Sequence, residues 1–193
     1  MRFALAIGEG HCDQCFKLCG DRDAHNSKNG TAGARVTAPL AEVRAMVGQK
    51  VGTSKWYPIT QAMIDAHADI SQDWQFIHVD PASAAQTQFG GTIAHGFLTL
   101  SMLSAMAYEV EPDIAGVAMG VNYGMNRMRF LAPVPAGARV RGHFTLLAFD
   151  DQKAGEITLT WSVEMEIENH SKPALVAEWI NRRYLAATPN NPT

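Results

Sequence analysis

Charge is scarce in this chain, and so are several signals that would place it in a special class. The formal net charge is −3 over 193 residues, with no basic cluster of the kind that binds nucleic acid or anionic membranes. The longest uncharged apolar stretch is too short, and too rich in Ser, Thr and Met, to span a bilayer. The first residues, MRFALAIG, lack the length and the cleavage site of a secretory signal. These absences predict a cytoplasmic protein without a nucleic-acid or membrane partner.

Cysteine is absent after residue 19. The cysteines have the spacing Cys-x2-Cys-x3-Cys, and two histidines lie nearby in the sequence. Such a set could bind zinc, but no second Cys-x2-Cys or His-x3-His pair completes it. We therefore expect free thiols and no metal here. The residues concerned are His11, Cys12, Cys15, Cys19 and His25.

Length and composition limit the number of domains. With 193 residues, of which 47% are hydrophobic, the chain can form one ordinary core. Residues 1–36 are dominated by Gly, Asp, Asn, Ser and Lys and show no apolar periodicity. We expect a poorly ordered N-terminal extension over residues 1–36, a single domain over residues 37–187 and a short tail over residues 188–193.

An acid and an imidazole stand close together near the middle of the chain. Asp73 and His78 are five residues apart in a segment without a helical pattern, and neither a regular helix nor a strand brings side chains at that spacing together. An irregular loop over residues 74–77 would let them converge for general acid–base chemistry. Alternatively, Asp73 caps a turn and His78 only precedes the short helix that Asp80 and Pro81 begin.

The run from Ile93 to Tyr108 contains no charged residue and follows the glycine pair Gly90 and Gly91. Its length and composition predict a long helix. A helix that is apolar on every side is expected to be buried on every side. We therefore predict that this helix forms the centre of the domain, and that His95 near its start packs or orients the preceding loop.

Alternating patterns predict a sheet after residue 116. In the third predicted strand, apolar side chains alternate strictly with Thr, Ser and Glu, which indicates one covered face and one face in solvent. Turn-like segments connect four strands as an antiparallel meander, and we expect this sheet to wrap around the apolar helix. The predicted strands span residues 50–58, 118–130, 139–149, 156–168 and 174–185, and two further helices span residues 39–46 and 60–71.

The motifs DWQFIHVD and AHGFLTLS resemble the MaoC-like family of (R)-specific enoyl-CoA hydratases, also called hydratase 2. The family motif has the form Ser-Gly-Asp-x-Asn-Pro-aliphatic-His-x-Asp, with a His-Gly pair at the start of a later helix. Three positions depart from it: Gln72 replaces the glycine, Gln75 the asparagine and Phe76 the proline. The matching residues are Ser71, Asp73, Ile77, His78, Asp80, His95 and Gly96.

The resemblance implies a fold, a reaction and a set of site residues. It implies an α+β hot-dog fold, in which an antiparallel sheet wraps around a long central helix. The implied reaction is hydration of a trans-2-enoyl-CoA to an (R)-3-hydroxyacyl-CoA, or the reverse dehydration. Asp73 and His78 match the catalytic pair, acting on one water, and Gly96, Ser104 and Gln75 are the implied oxyanion and substrate-binding residues. The implied partners are an acyl-CoA thioester and a second copy of the chain, with no metal or other cofactor.

Three other functions compete with this one. Hot-dog thioesterases act on similar ligands with a single carboxylate, and the Asp-x4-His pairing argues against that class. A dehydratase that acts on a carrier-protein thioester fits the same motif. A non-catalytic acyl-CoA-binding subunit is the third, because Gln75 and Phe76 replace family residues beside the catalytic pair.

Arginines on the predicted sheet offer a further choice. Arg127 and Arg129 share one strand face, as do Arg139 and Arg141. The favoured interpretation is a sheet face in solvent. The alternative is that some of these guanidinium groups bind the phosphates of coenzyme A.

We predict that residues 1–36 are dispensable, because they lack an apolar pattern and lie outside the region of resemblance. A chain that begins at Val36 should keep its hydratase activity and most of its thermal stability. The measurements are steady-state hydration of crotonyl-CoA and a thermal melt, with the full-length chain as the control. Aggregation of the shortened chain, or zinc stoichiometric with the full-length protein, would show that the segment is structural.

Overall fold

The structure, a computed structural model, describes residues 37–186. The predictions for the N-terminal extension, its cysteines and the C-terminal tail concern residues outside this range. No helix within residues 37–186 combines the length and the apolar character that a membrane span requires. The helices are α1 (Leu40–Ala45), α2 (Gln61–Ser71), α3 (Phe76–Val79), α4 (Pro81–Ala84) and α5 (Gly96–Val110). The strands are β1 (Thr37–Ala38), β2 (Lys50–Thr53), β3 (Tyr57–Pro58), β4 (Asp113–Ile114), β5 (Val117–Phe130), β6 (Arg139–Asp150), β7 (Glu156–Ile167) and β8 (Leu175–Leu185).

One antiparallel sheet contains all the long strands. Its order is β2-β6-β7-β8-β5, with β3 also paired to β6, while β1 and β4 form a separate parallel pair. The predicted meander is therefore wrong in one respect, because β5 pairs with β8 instead of β6. The connection from β5 to β6 forms no hairpin, since its main chain bonds to the segment before α5. Ala94 N–H donates to Val134 O (2.8 Å) and Ala136 N–H donates to Thr92 O (2.9 Å).

The two faces of β7 show why the sheet forms a core. Each apolar residue that points inward is at most 1% exposed, and the Thr, Ser and Glu residues between them point outward. This confirms the predicted alternation. The inward residues are Ile157, Leu159, Trp161, Val163, Met165 and Ile167.

Helix α5 packs against the inner face of the sheet. Leu103 and Met106 of α5 are 1% and 0% exposed. A Cβ on Gly142 of β6 would lie 3.2 Å from Met106 Sδ and 2.7 Å from the Phe144 ring, so the missing side chain lets the helix approach closely. An antiparallel sheet that covers a long central helix confirms the predicted α+β hot-dog fold.

The prediction that α5 is buried on every side is wrong for the single chain. Phe97 and Tyr108 are 68% and 69% exposed, and Phe97 lies on the stripe of α5 beside β5. On β5 itself, Met119 and Tyr123 are 59% and 58% exposed. Composition alone cannot separate the side of an apolar helix that meets its own sheet from the side that meets another surface.

The predicted strand over residues 50–58 is divided into β2 and β3. At the break, Ser54 N–H donates to Gly142 O (2.9 Å), while Ser54 Oγ accepts from Gly142 N–H (3.0 Å). The hydroxyl takes the place of a main-chain acceptor in the ladder. Regular pairing therefore stops at Ser54 and resumes at Tyr57.

Gln72 holds a backbone conformation that favours glycine. It caps the C-terminus of α2 with φ 60° and ψ 25°, in the left-handed region. Gln72→Gly should remove this strain, raise the free energy of unfolding by about 1 kcal/mol and raise Tm by about 2–4 °C. Gln75→Gly, at φ −57°, is the matched control and should lower Tm. Thermal melts of both variants check this. A lower Tm for Gln72→Gly would contradict the inference that the backbone at Gln72 is strained.

Candidate active site

A sharp reversal after α2 brings Asp73 and His78 to the same place. Gln72 reverses the chain through its left-handed backbone, and one turn of helix, α3, begins at Phe76. The predicted irregular loop over residues 74–77 is therefore wrong in its extent. Only the first part of that segment is irregular, and His78 lies inside α3.

Local hydrogen bonds explain why α3 forms without the family's proline. His78 N–H donates to Gln75 O (2.9 Å), and Asp80 N–H donates to Phe76 O (2.9 Å). Phe76 is the first helical residue, the position that proline favours because no N–H is needed there. A phenylalanine can occupy this position, so the departure from the motif leaves the turn intact.

The carboxylate of Asp80 begins the next helix, as predicted. Its Oδ1 accepts from the N–H groups of Ala82 (3.0 Å) and Ser83 (3.1 Å), and its Oδ2 accepts from Ser83 Oγ (2.6 Å). The hydrogen bonds from Ser83 lower the pKa of Asp80. Pro81 follows at the first helical position. Asp80 therefore serves α4, and the acid available for chemistry in this segment is Asp73.

The main chain fixes the tautomer of His78. The side chain is 7% exposed, and its Nδ1 lies 2.7 Å from the carbonyl oxygen of Ile93. Because a carbonyl oxygen only accepts, His78 Nδ1 is the donor. In the neutral ring, Nε2 is then the unprotonated nitrogen and the one free for chemistry.

Asp73 presents its carboxylate to this imidazole. Its Oδ1 accepts from Gln75 N–H (3.3 Å), and its other oxygen forms no hydrogen bond within residues 37–186. One carboxylate oxygen of Asp73, one nitrogen of His78 and one nitrogen of His95 all lie within 4.8 Å of one another. At that separation a single water can hydrogen-bond to two of the groups at once.

His95 is part of the cluster, although its sequence position suggested only packing or orientation. It is 3% exposed, and its Nε2 lies 2.9 Å from the main-chain oxygen of Asp73. Its ring stacks on His78, with centroids 3.8 Å apart and 26° between the planes. The ring of His67 lies 4.8 Å from that of His95. Burial and the neighbouring His95 lower the pKa of His67.

Two imidazoles and a carboxylate are also the donor types of a metal site. Here His78 Nδ1 and His95 Nε2 are both engaged with main-chain carbonyls. One nitrogen of each ring is left outside these hydrogen bonds, and the three side chains are close enough together to offer one ligand atom each to an ion. The absence of a metal therefore stays a prediction.

The N-terminus of α5 lies directly after His95. The first helical hydrogen bonds end at His95 O, so the N–H groups of Gly96 and Phe97 precede them and carry the positive end of the helix dipole. A Cβ at Gly96 would lie 2.8 Å from atoms of the Phe130 ring. Glycine is therefore needed here for packing against β5, a reason that the sequence did not reveal.

Ser104 lies apart from the acid–imidazole cluster, whereas Gln75 contacts the cluster through its main chain and not through its side chain. Ser104 is eight residues after Gly96, or about 12 Å along the axis of α5, and it accepts a hydrogen bond from Asn122 Nδ2 (3.3 Å). It lines a groove of about 310 Å³ between α5 and β5. Gln75 is exposed, and neither side chain hydrogen-bonds to Asp73 or His78 in the described part of the chain.

The two arginine pairs differ in their partners. Arg139 forms an ion pair with Glu168, and Arg141 forms one with Glu166. These guanidinium groups are already neutralised on the outer face, which agrees with the favoured interpretation of a face in solvent. The pair on β5 forms no ion pair within residues 37–186.

Comparison with known proteins places these observations in a family. The chain matches the family model of the MaoC like domain over residues 42–167. It is 50% identical over 142 residues to nodulation protein N of Rhizobium meliloti (strain 1021), which covers 73% of this chain and 88% of that protein. It is 44% identical over 148 residues to 3-hydroxyacyl-thioester dehydratase Z of Mycobacterium tuberculosis (strain ATCC 25618 / H37Rv), covering 77% of this chain and 97% of that protein.

An (R)-specific enoyl-CoA hydratase of Aeromonas caviae is a more distant relative, 31% identical over 107 residues, which is 55% of this chain and 75% of that protein. The solved structure of the (R)-hydratase from A. caviae superposes with a TM-score of 0.55 at 24% identity, over 69% of this chain and 95% of that chain. This likeness shows the shared hot-dog fold. With the family match covering more than half of the sequence, the chain belongs to the MaoC-like dehydratase family of hydro-lyases.

Proposed function

We propose that this protein hydrates trans-2-enoyl-CoA to (R)-3-hydroxyacyl-CoA, and catalyses the reverse dehydration, with Asp73 and His78 as the catalytic pair. One observation carries the proposal. The His78 ring, whose tautomer the carbonyl of Ile93 fixes, has a nitrogen within 4.8 Å of a carboxylate oxygen of Asp73. Relatives named as a hydratase and a dehydratase support the reaction type.

Hydration adds a hydroxyl group at C3 and a proton at C2 of the enoyl thioester. A water between Asp73 and His78 would donate one hydrogen bond to each and keep a lone pair for C3. As the O–C3 bond forms, Asp73 accepts the proton that leaves the water, and the C2–C3 π electrons move toward the thioester carbonyl. The proton then passes from Asp73 to His78 Nε2, which delivers it to C2. Both residues return to their starting charge.

The thioester oxygen gains negative charge during this step and needs hydrogen-bond donors. We assign that role to the N–H of Gly96, at the positive end of α5. Ser104 and Gln75 stay proposals for substrate contact. Ser104 would act from the groove beside α5, and Gln75 from the exposed surface next to Asp73.

Assays separate the proposed hydratase from two alternatives, a dehydratase of carrier-protein thioesters and a non-catalytic acyl-CoA-binding subunit. A relative named 3-hydroxyacyl-thioester dehydratase favours the dehydration direction as a second candidate, with either coenzyme A or a carrier protein bearing the thioester. Comparing both kinds of thioester identifies the carrier. Loss of the enoyl absorbance on adding crotonyl-CoA separates an enzyme from a binding subunit. The cytoplasmic location stays a prediction.

We also propose that two copies form a homodimer. The strand β5, with 14 residues, lies at the edge of the sheet, where unpaired main-chain groups are a liability. Its exposed apolar residues, including Met119 and Tyr123, adjoin the exposed stripe of α5 that contains Phe97. Joining two copies along this edge about a two-fold axis would cover both surfaces.

We predict that Asp73→Asn and His78→Asn each lower kcat for crotonyl-CoA hydration by at least about 10²-fold, with little change in KM. Asn at position 73 keeps the shape but cannot take a proton. Asn at position 78 can still donate to Ile93 O, but it has no counterpart of Nε2. Steady-state kinetics of both single variants and the double variant check this.

If the two residues act on one water, the double variant should be little worse than either single variant. Thermal melts control for folding. Wild-type activity in the Asp73→Asn protein would contradict the mechanism. A kcat of the double variant far below that of either single variant would exclude a shared water.

Light scattering checks the dimer. At micromolar concentration the wild-type protein should give about twice the 21.0 kDa of one chain. Val121→Lys places a charge on the exposed edge strand and should shift the mass toward a monomer. Leu147→Lys is the matched control, because Leu147 is equally apolar and 43% exposed but lies on β6. A wild-type monomer, or loss of the dimer in the control alone, would contradict the edge-to-edge arrangement.

A further inference from the structure

We propose that His95 is a positioning residue that holds the main chain of Asp73 and the ring of His78 in register with each other. The inference rests on the proposed function of the pair. His95 is placed to do this because it contacts both partners. Its Nε2 is 2.9 Å from Asp73 O, and its ring lies 3.8 Å from that of His78.

The hydrogen bond to Asp73 defines the protonation of His95. A main-chain oxygen only accepts, so His95 Nε2 carries the proton and donates it. His95 therefore anchors the irregular segment after α2. Among residues 37–186, the exposed side chain of Asp73 is tied through the N–H of Gln75 alone. Without this donor, the segment would lose its hydrogen bond to the residue that precedes α5, and the bond from Trp74 Nε1 to Asp69 Oδ1 (3.2 Å) would hold it from the side of α2.

The two nitrogens of His95 differ in their surroundings. His95 Nδ1 is buried and has no hydrogen-bond partner within residues 37–186. A buried polar atom without a partner is unfavourable, and an apolar ring of the same shape would avoid that cost. The hydrogen bond from Nε2 to the main-chain oxygen of Asp73 therefore explains the histidine at this position.

The stacked ring constrains His78 from a second direction. The Nδ1 of His78 is fixed by Ile93 O, and the face of its ring is fixed by His95. One hydrogen bond still allows an imidazole to pivot, whereas a hydrogen bond and a stacking contact together define its plane. His95 thus acts on one catalytic residue by a hydrogen bond and on the other by packing.

Two substitutions separate these contacts. His95→Phe keeps the ring against His78 but loses the donor to Asp73, whereas His95→Gln keeps an amide donor near the position of Nε2 but loses the ring. If positioning of Asp73 dominates, His95→Phe should lower kcat by about 10²-fold, and His95→Gln by less than about tenfold. KM should change little in either variant, and thermal melts of both variants check that the fold is kept.

The matched control is His67→Gln, because His67 packs beside His95 but hydrogen-bonds to neither catalytic residue, and its kcat should stay close to wild type. In an Asp73→Asn background, His95→Phe should cost far less than in the wild-type background, since no carboxylate is left to position. Wild-type kcat in His95→Phe, equal losses in both backgrounds, or a His95→Gln variant as impaired as His95→Phe would each overturn the proposal.

A readout that does not depend on turnover separates this proposal from the proposed function. Long-range ¹H–¹⁵N spectra of the full-length protein, with the His95 signals assigned by comparison with His95→Gln, should show His95 with its proton on Nε2. A proton on Nδ1 instead would overturn the positioning role. If the wild-type protein hydrates no enoyl-CoA, the proposed function fails, and the spectrum alone then decides whether His95 holds the Asp73 segment.

Discussion

The packing of α5 onto the inner face of the sheet is the contact on which the site depends. Met106 sits against Gly142 and Phe144 of β6, and burial of each large apolar side chain stabilises the fold by roughly 1.5–3 kcal/mol. This contact fixes the axis of the helix, and the axis in turn fixes where its first N–H groups point. His95 and Gly96 therefore occupy defined positions at the rim of a rigid core, although the Asp73 carboxylate beside them comes from an irregular segment.

Main-chain carbonyl groups organise the site as much as side chains do. Ile93 accepts from His78 Nδ1 (2.7 Å) and donates its own N–H to Ile77 O (3.0 Å), so α3 and the approach to α5 are joined twice. Gln61 adds a third tie, because its Nε2 donates to His78 O (2.8 Å) while its Oε1 accepts from Thr92 Oγ1 (2.6 Å). The acid–imidazole pair thus lies where α2, α3 and the segment before α5 are joined. The joining groups are main-chain N–H and C=O groups, together with the Gln61 side chain, which lies outside the motif.

The sequence predicted the elements well because their patterns are local. Strict alternation in β7, and an N-cap followed by proline at Asp80, are signals that neighbouring residues carry by themselves. The pairing of β5 with β8, the division of the strand at Ser54 and the contact of Phe130 with Gly96 depend on residues far apart in the chain, and no periodicity reports them. The same applies to the site. Spacing suggested that Asp73 and His78 meet, but it could not show that His95, the residue before α5, stacks on His78 and bonds to Asp73.

The edge position of β5 also affects how the chain reaches this fold. β5 emerges before β6, β7 and β8, yet within the described residues its ladder runs along β8, from Val117 opposite Leu185 to Phe130 opposite Leu175. Pairing between strands so distant in sequence raises the contact order, which slows folding. During synthesis, β5 therefore remains without its partner strand, with its apolar side chains exposed, until β6, β7 and β8 have been made. Strand β8 therefore closes the sheet, and until it does, β5 is exposed to aggregation along its unpaired edge.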